Sequence, residues 1–231
     1  MTYHQFSVEA VDSPVITNSE NIFVGKTTLT NSTNQEQMLS TNSFSKVISN
    51  SISYSTIHGY KFGTKASGKL AIPLVGETGM ELSAEYNFSD TENRTNNESF
   101  TYTVSPQNIK VPANSSVEVI VKLDSVMSKG NVQLITNMSG RDKGDFDFTK
   151  STISYDLNFN NIILYASNFE NLPYISANLD ENTINIVGSG KYEAKYGTEF
   201  SVTVKPVKQR NKREINEGYT YKVKPKITKK Y

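Results

Sequence analysis

Apolar and polar residues alternate with a period of two along most of the chain. Two such runs cover residues 117–123 and 132–138, and the second is bounded by Gly130-Asn131 and Gly140. Because successive side chains of a β-strand point to opposite faces, this alternation predicts strands. The glycines predict that the two runs are separate strands.

The same alternation returns near the C-terminus, where residues 200–204 and 219–223 predict two late strands. Gly188-Ser189-Gly190 interrupts a further run and predicts a turn or a bulge. Helical spacing is weak throughout, and the one stripe at residues 35–48 is broken by Ser, Thr and Asn. The pattern therefore predicts an all-β protein.

Residues 52–90 carry the longest alternation, and they predict a hairpin. Even-numbered positions up to Ile72 and again from Met80 to Phe88 are mostly apolar or small, and odd-numbered positions are mostly polar. A Pro/Gly-rich segment, residues 73–79, separates the two halves, as the turn of a hairpin does.

Both faces of this hairpin agree with one cross-strand register. In that register Lys69 meets Glu81 and Lys65 meets Glu85, while Leu70 meets Met80 on the other face. We expect this register because residues of opposite charge then pair on one face of the hairpin and apolar residues pair on the other.

Two interpretations of the hairpin remain open. It can lie with its apolar face on the protein's own core, or it can cross a membrane, since a transmembrane strand needs about 9–11 residues. The uncharged, lipid-facing set would be Phe62, Thr64, Ala66, Gly68, Leu70, Ile72, Met80, Leu82, Ala84, Tyr86 and Phe88. The pore-lumen set would be Lys61, Lys65, Ser67, Lys69, Glu81, Ser83, Glu85 and Asn87. The apolar tip would be Pro73, Leu74, Val75 and Gly76.

A single hairpin cannot cross lipid, because its edges would leave unpaired backbone groups in hydrocarbon. Only a closed ring of hairpins from several chains removes those edges. The membrane interpretation therefore predicts a homo-oligomer in the pore state, and a monomer or dimer in solution.

Composition narrows the possible functions. The 231 residues include no Cys and two His, which excludes disulfide frameworks, thiol nucleophiles and three-histidine metal sites. We expect no metal and no cofactor. A net charge of +1 gives no case for nucleic-acid binding. Ser, Thr and Asn supply 73 residues, and they disfavour helix interiors or suit strands.

Positive charge is concentrated at the C-terminal end. Residues 205–231 contain ten Lys and Arg and two Glu, a net charge of +8. The segment Lys208, Arg210, Lys212 and Arg213 is predicted to be a loop between two strands. It is either a protease-sensitive loop or a solvated turn.

Other motifs point away from catalysis, and we identify no catalytic residue. Residues 63–70 nearly match a phosphate-binding loop, but Leu70 stands where Ser or Thr should bind magnesium. Asp142, Asp145 and Asp147 lack calcium-loop spacing. The paired carboxylates Asp180-Glu181 are expected to be solvated in a turn beside Asn182. A β-sandwich hydrolase using such carboxylates has no positive support.

Three stretches resemble the epsilon-toxin and mosquitocidal-toxin branch of the aerolysin-like β-pore-forming toxins. Gly68-Lys-Leu-Ala-Ile-Pro-Leu-Val-Gly-Glu-Thr-Gly79 resembles the tip of that family's insertion hairpin. The stretch Val104–Val121, with Lys129-Gly-Asn-Val132 and Ser139-Gly140, resembles its most recognisable region, and Thr183–Tyr192 also has a counterpart. The resemblance runs from about Val24 to Val207.

The resemblance implies an elongated, all-β molecule of long twisted antiparallel strands, with a tucked amphipathic insertion hairpin and a C-terminal β-sandwich. It implies a toxin that binds an unidentified surface receptor, glycan or protein, on a target-cell membrane and inserts its hairpins as one barrel. Residues 1–24 would be a short N-terminal segment replacing the family's larger receptor-binding region, and 25–231 the body that includes hairpin 52–90. Tyr3, His4 and Phe6 would stand in for the receptor-binding aromatics.

An alternative stays open: a non-toxic crystal or storage protein, or a carbohydrate- or cell-surface-binding relative, that keeps the fold without efficient pore formation. The start of the chain lacks the features of a secretory signal. We therefore expect either a sporulation-type inclusion or a mature secreted form, acting outside the cell. An enzyme is not expected.

Overall fold

The computed structural model describes residues 2–59, 67–73, 81–87, 94–149, 151–207 and 218–230, and in segments 67–73 and 81–87 it covers chiefly the backbone. The elements are β1 (Thr2–Ala10), β2 (Val15–Asn31), β3 (Gln37–Ser40), β4 (Phe44–His58), β5 (Ser67–Pro73), β6 (Glu81–Asn87), β7 (Arg94–Val104), β8 (Asn108–Val111), β9 (Ser115–Ser139), β10 (Arg141–Phe148), β11 (Ser151–Asn158), α1 (Phe159–Ala166), β12 (Ile175–Asn178), β13 (Thr183–Pro206), β14 (Tyr219–Val223) and β15 (Lys226–Lys229). The predicted all-β class is confirmed.

Two long antiparallel strands, β9 and β13, form the centre of the main sheet. They pair from Ile184 opposite Met138 to Pro206 opposite Val117. At about 3.4 Å per residue, the 25 residues of β9 span roughly 80 Å, which makes the molecule elongated. The outer edge of β9 carries β1 and then β2, and the outer edge of β13 carries β12, β4 and β14. Beyond β4 the sheet continues through β7 to β15.

The two runs predicted as separate strands are one continuous strand, β9. Odd-numbered side chains such as Leu123 are buried in its first half and even-numbered ones such as Leu134 in its second half. The buried face therefore changes near Ser125 and Val126, which are adjacent and both buried. The facing strand β13 has a bulge at the same level, between Gly197 and Phe200.

Strand β9 continues through Gly130. The glycine is needed there because the ring of a neighbouring side chain occupies the space that a Cβ would take. A Cβ added there would lie 2.5 Å from Oη of Tyr192 on β13. At Gly188-Ser189-Gly190 the predicted turn is wrong, since β13 runs through it. The predicted bulge is found in the pairing with β4, between Ser189 and Gly190.

A sandwich forms where β13 leaves β4 and pairs with β14. One layer contains β2, β9, β13 and β14, and the other contains β4, β7 and β15. Contacts between the layers include the Phe44 ring over Gly25 and the Tyr102 ring over Gly197. The sandwich thus draws strands from both halves of the chain and not only from the C-terminal part.

Tyr102 is one of the largest fully buried side chains of the sandwich core. Its hydroxyl donates to Asn50 Oδ1 at 3.1 Å and accepts from Asn50 Nδ2 at 2.8 Å. Burial raises the pKa of Tyr102, and the hydrogen bond with Asn50 opposes that rise. The pair lets a hydroxyl and an amide occupy the core without an unpaired polar group.

One helix, α1, was not predicted from the sequence. Its Phe159 and Ile163 pack on a small second core formed by Met138, Ile184 and Ile186. Eight residues are too few for a helical stripe to stand out from the surrounding alternation. Among the residues that the structure describes, no helix has the length and apolar character needed to cross a membrane.

Candidate functional site

The predicted hairpin is present as the antiparallel pair β5 and β6. Strand β5 contacts β1, and strand β6 contacts β4. Because β1 and β4 flank the β9–β13 pair, the hairpin spans the sheet between them. Val132 and Leu134 of β9, which lie opposite Ala10 and Val8 of β1, are almost fully buried.

The register of this hairpin differs from the predicted one. Lys69 pairs with Glu85 and not with Glu81, and Leu70 pairs with Ala84 and not with Met80. The predicted pairing of Lys65 with Glu85 is therefore also wrong. Registers that differ by an even number of residues leave each side chain on its face, so alternation alone cannot distinguish between them.

The strands that lead into and out of the hairpin are also two-sided. On one face of β4 and β7, the hydroxyls of Ser45 and Thr103 lie 2.9 Å apart, and those of Ser53 and Thr95 lie 2.8 Å apart. On the other face Ile52 is fully buried. The paired strands β4 and β7, which we call the stem, thus extend the pattern of a polar and an apolar face beyond the hairpin itself.

The ladder of the stem and the ladder of the hairpin are out of step. Continuing the β4–β7 register would pair Ser67 with Glu81, whereas β5–β6 pairs Ser67 with Asn87. The difference is six residues. The two ladders therefore cannot form one uninterrupted antiparallel pair without a change of register.

The predicted site residues are distributed as follows. Of the lipid-facing set, β5 contains Gly68, Leu70 and Ile72, and β6 contains Leu82, Ala84 and Tyr86, while Phe62, Thr64, Ala66, Met80 and Phe88 lie outside the described residues. Of the lumen set, β5 contains Ser67 and Lys69, and β6 contains Glu81, Ser83, Glu85 and Asn87, while Lys61 and Lys65 lie outside. Pro73 ends β5, and the remaining tip residues Leu74, Val75 and Gly76 lie outside, as do Lys208, Arg210, Lys212 and Arg213 of the basic loop.

Gly68 is buried and Lys69 is exposed, as expected for neighbouring positions on opposite faces. The lipid-facing and lumen roles of the hairpin stay predictions. Within the described ranges, His, Asp and Glu form no group of three or more that could hold a metal ion.

A second feature, a polar cavity of about 400 Å³, was missed by the sequence interpretation. It lies where the start of β1, the end of β9 and the turn between β12 and β13 meet. Its lining consists of His4, Gln5, Asn137, Ser139, Glu181, Asn182 and Thr183. Glu181 is exposed in the turn beside Asn182, as expected, and it also lines this cavity. The sequence alone could not predict that three segments so far apart in the chain lie together.

The curled sheet of long antiparallel strands, with a hairpin laid across it, is the aerolysin-like fold of pore-forming proteins. The β-pore-forming protein Mpp75Aa1.1 from Brevibacillus laterosporus has this fold, with a TM-score of 0.84 at 22% identity over 100% of this chain and 77% of its own. A non-toxic crystal protein from Bacillus thuringiensis has a TM-score of 0.68 at 18% identity, covering 89% of this chain and 84% of its own.

The binary complex of Cry23Aa1 and Cry37Aa1 contains a similar chain, with a TM-score of 0.67 at 19% identity over 98% of this chain and 88% of that one. Residues 1–216 match the family described as Clostridium epsilon toxin ETX/Bacillus mosquitocidal toxin MTX2. The chain belongs to this toxin family, as its sequence resemblance indicated. A search of the curated proteins found no match.

Proposed function

We propose that this protein is a β-pore-forming toxin that oligomerises on a target-cell membrane and inserts one amphipathic hairpin per subunit. The observation that carries the proposal is the β5–β6 hairpin across the sheet. Its register keeps even-numbered positions opposite even-numbered ones, as in the pair Leu70 and Ala84. The charged pair Lys69 and Glu85 lies on the other face, which would line the water-filled lumen.

The hairpin must leave the sheet before it can insert. On release, the apolar face would exchange contact with the protein for contact with lipid. Neighbouring subunits would pair with the free edges and so satisfy the backbone groups that a lone hairpin leaves in hydrocarbon. A ring of identical chains is therefore part of the proposal.

Two lysine substitutions at adjacent residues of β6 provide the test. Ala84→Lys would place a charge on the proposed lipid face, at a cost of about 2–4 kcal/mol near the bilayer midplane for each subunit. The matched control Ser83→Lys would place the same charge in the lumen. Dye release from liposomes and from intact cells, with and without trypsin, measures the effect.

We expect Ala84→Lys to abolish dye release while Ser83→Lys retains it, with both variants folded by circular dichroism. Equal release from both variants would refute the assignment of faces. Absence of release and of a detergent-resistant oligomer under every activation would refute pore formation itself. That second outcome would favour the non-toxic crystal or surface-binding alternative, since the fold occurs in both a pore-forming and a non-toxic protein.

Proteolytic activation and site of action complete the proposal. Lys208, Arg210, Lys212 and Arg213 are the proposed cleavage sites, because the sequence predicts a basic loop there and loops are preferred sites of proteolysis. Mass spectrometry of the trypsin-treated protein identifies the cleaved bond. Action is proposed to be extracellular, after release from an inclusion or secretion.

A further inference from the structure

Three neighbouring strands present amide side chains on one face at the base of the polar cavity. Gln5 of β1 is opposite Asn137 of β9, and Asn137 is opposite Asn185 of β13. Asn137 Nδ2 donates to Asn185 Oδ1 at 3.1 Å. Paired residues of antiparallel strands share a face, so the three amides lie side by side.

A β-bulge adds a histidine to this face. The pairing of β1 with β9 shifts between Tyr3 and Gln5, which leaves His4 as the extra residue. His4 Nε2 lies 2.7 Å from Ser139 Oγ, within hydrogen-bond distance. Bulges change the direction of a side chain, and here the change brings an imidazole to the cavity wall.

The turn between β12 and β13 brings a carboxylate over the same face. Glu181 Oε2 accepts hydrogen bonds from Asn137 Nδ2 and from Asn178 Nδ2, each at 3.2 Å. The next residue, Asn182, has a positive φ of 56°. Asn158 Nδ2 donates to Asn182 Oδ1 at 3.2 Å, which holds this uncommon conformation in place.

Two polar atoms at the cavity have no partner among the described residues. Thr183 Oγ1 and Asn137 Oδ1 are both buried without a hydrogen bond. The Thr183 side chain belongs to a residue only 6% exposed. Buried polar atoms are almost always paired in folded proteins, so each unpaired one requires an explanation. A bound molecule that hydrogen-bonds to both supplies one.

The lining chemistry defines the class of that molecule. It contains amides and hydroxyls, which both donate and accept, one imidazole and the single carboxylate of Glu181. Among the described residues, the lining contains no Lys or Arg to bind an anion. Sugar hydroxyls both donate and accept, and the volume falls within the range of about 300–1,000 Å³ that small-molecule sites occupy.

We propose that this cavity binds a sugar residue of a cell-surface glycan. The inference rests on the proposed function, in which the protein acts at a target-cell surface, and it adds the chemical class of the receptor. The site includes His4 and Gln5, so residues of β1 would contribute directly to receptor binding. Glu181 and Asn137 would hydrogen-bond adjacent hydroxyls, and Thr183 would bind a third.

Direct binding in the absence of membranes tests the proposal. Labelled full-length protein is applied to a glycan array, and saturation-transfer NMR is run with the methyl glycosides of glucose, galactose, mannose and N-acetylglucosamine. Affinity for the strongest glycan is then measured for Thr183→Val and Glu181→Gln. Asp180→Asn is the matched control, because Asp180 is exposed like its neighbour Glu181 but does not line the cavity.

We expect Thr183→Val and Glu181→Gln each to weaken binding about tenfold, because the first removes a hydrogen bond to the sugar and the second replaces a charged acceptor by a neutral one. Asp180→Asn should bind like the unmodified protein. Absence of binding to every glycan and glycoside, or equal binding by all variants, would overturn the proposal. Thr183→Val preserves the side-chain shape, and circular dichroism checks its folding.

Leakage from liposomes without glycans separates this inference from the proposed function. Dye release at high protein concentration with no sugar binding would refute the glycan site and leave pore formation standing. Sugar binding that Thr183→Val weakens, without release under any activation, would support the site and refute pore formation.

Discussion

Cysteine pairs can determine whether the hairpin changes register when it leaves the sheet. In the described structure Lys69 is opposite Glu85, whereas a ladder continuous with β4–β7 would place Ser67 opposite Glu81. We expect the inserted hairpin to adopt the continuous ladder, because an interrupted one leaves unpaired backbone groups in hydrocarbon. The double variant Lys69→Cys/Glu85→Cys reports the first register, and Ser67→Cys/Glu81→Cys reports the second.

The separation between the registers is large compared with the reach of a disulfide. Residues paired across antiparallel strands have Cα atoms about 4.5–5.5 Å apart. A shift of six residues, at about 3.4 Å each, moves former partners roughly 20 Å apart. A disulfide needs Cα atoms within about 7 Å. Each pair can therefore form its bond in one register and not in the other.

The assay compares oxidation before and after membrane assembly. The chain has no cysteine of its own, so any disulfide arises from the engineered pair. We expect Lys69→Cys/Glu85→Cys to oxidise in solution, to block dye release and to regain release on reduction. Ser67→Cys/Glu81→Cys should oxidise only in the assembled oligomer. The control Ser53→Cys/Thr95→Cys should oxidise in both states without loss of release, since β4 and β7 keep their register.

Undiminished dye release from fully oxidised Lys69→Cys/Glu85→Cys would refute the reasoning, because the hairpin would then insert in its original register. Oxidation of Ser67→Cys/Glu81→Cys in the soluble protein would contradict the register on which the prediction depends. Mass spectrometry of peptic peptides establishes which disulfides are present.

Two further predictions concern stability. Gly130→Ala should lower the free energy of unfolding by about 1–3 kcal/mol in urea denaturation, because the added methyl overlaps the buried Tyr192 ring; an unchanged midpoint would contradict this packing. A hydrogen bond with Asp124 raises the pKa of Lys222 above 10.5, so this ion pair stabilises the fold below that pH and its contribution is lost as pH rises through the raised pKa. Lys222→Met should therefore lower the free energy of unfolding by about 1 kcal/mol at pH 7, a small value because the lysine is half exposed. The variant should also lose less stability than the unmodified protein between pH 7 and pH 11. Thermal denaturation at the two pH values measures both effects.

Strand β9 shows what the local sequence pattern can predict and what it cannot. The alternation in residues 117–123 and 132–138 predicts strands, and both segments are strands. The change of phase between them looks like a break when only the sequence is read. It marks instead the point where one strand turns its other face to a core, which depends on the layers packed against it.

The polar cavity could not be predicted for a different reason. Gln5, Asn137 and Glu181 are far apart in the chain, and each alone is typical of a surface residue. The strand pairings of β1 with β9 and of β9 with β13 bring them together. The bulge at His4 is invisible in composition or periodicity, since a bulge adds one residue without a required residue type.

By itself the sequence determined the all-β class, the two-sided hairpin and the toxin family, because alternation and motif are properties of neighbouring residues. Only the tertiary structure decided that Lys69 lies opposite Glu85, that β9 buries both of its faces in turn, and that a polar cavity forms beside β1. Alternation specifies which face a side chain occupies and leaves every even shift of register equivalent. Contacts between distant strands remove that equivalence.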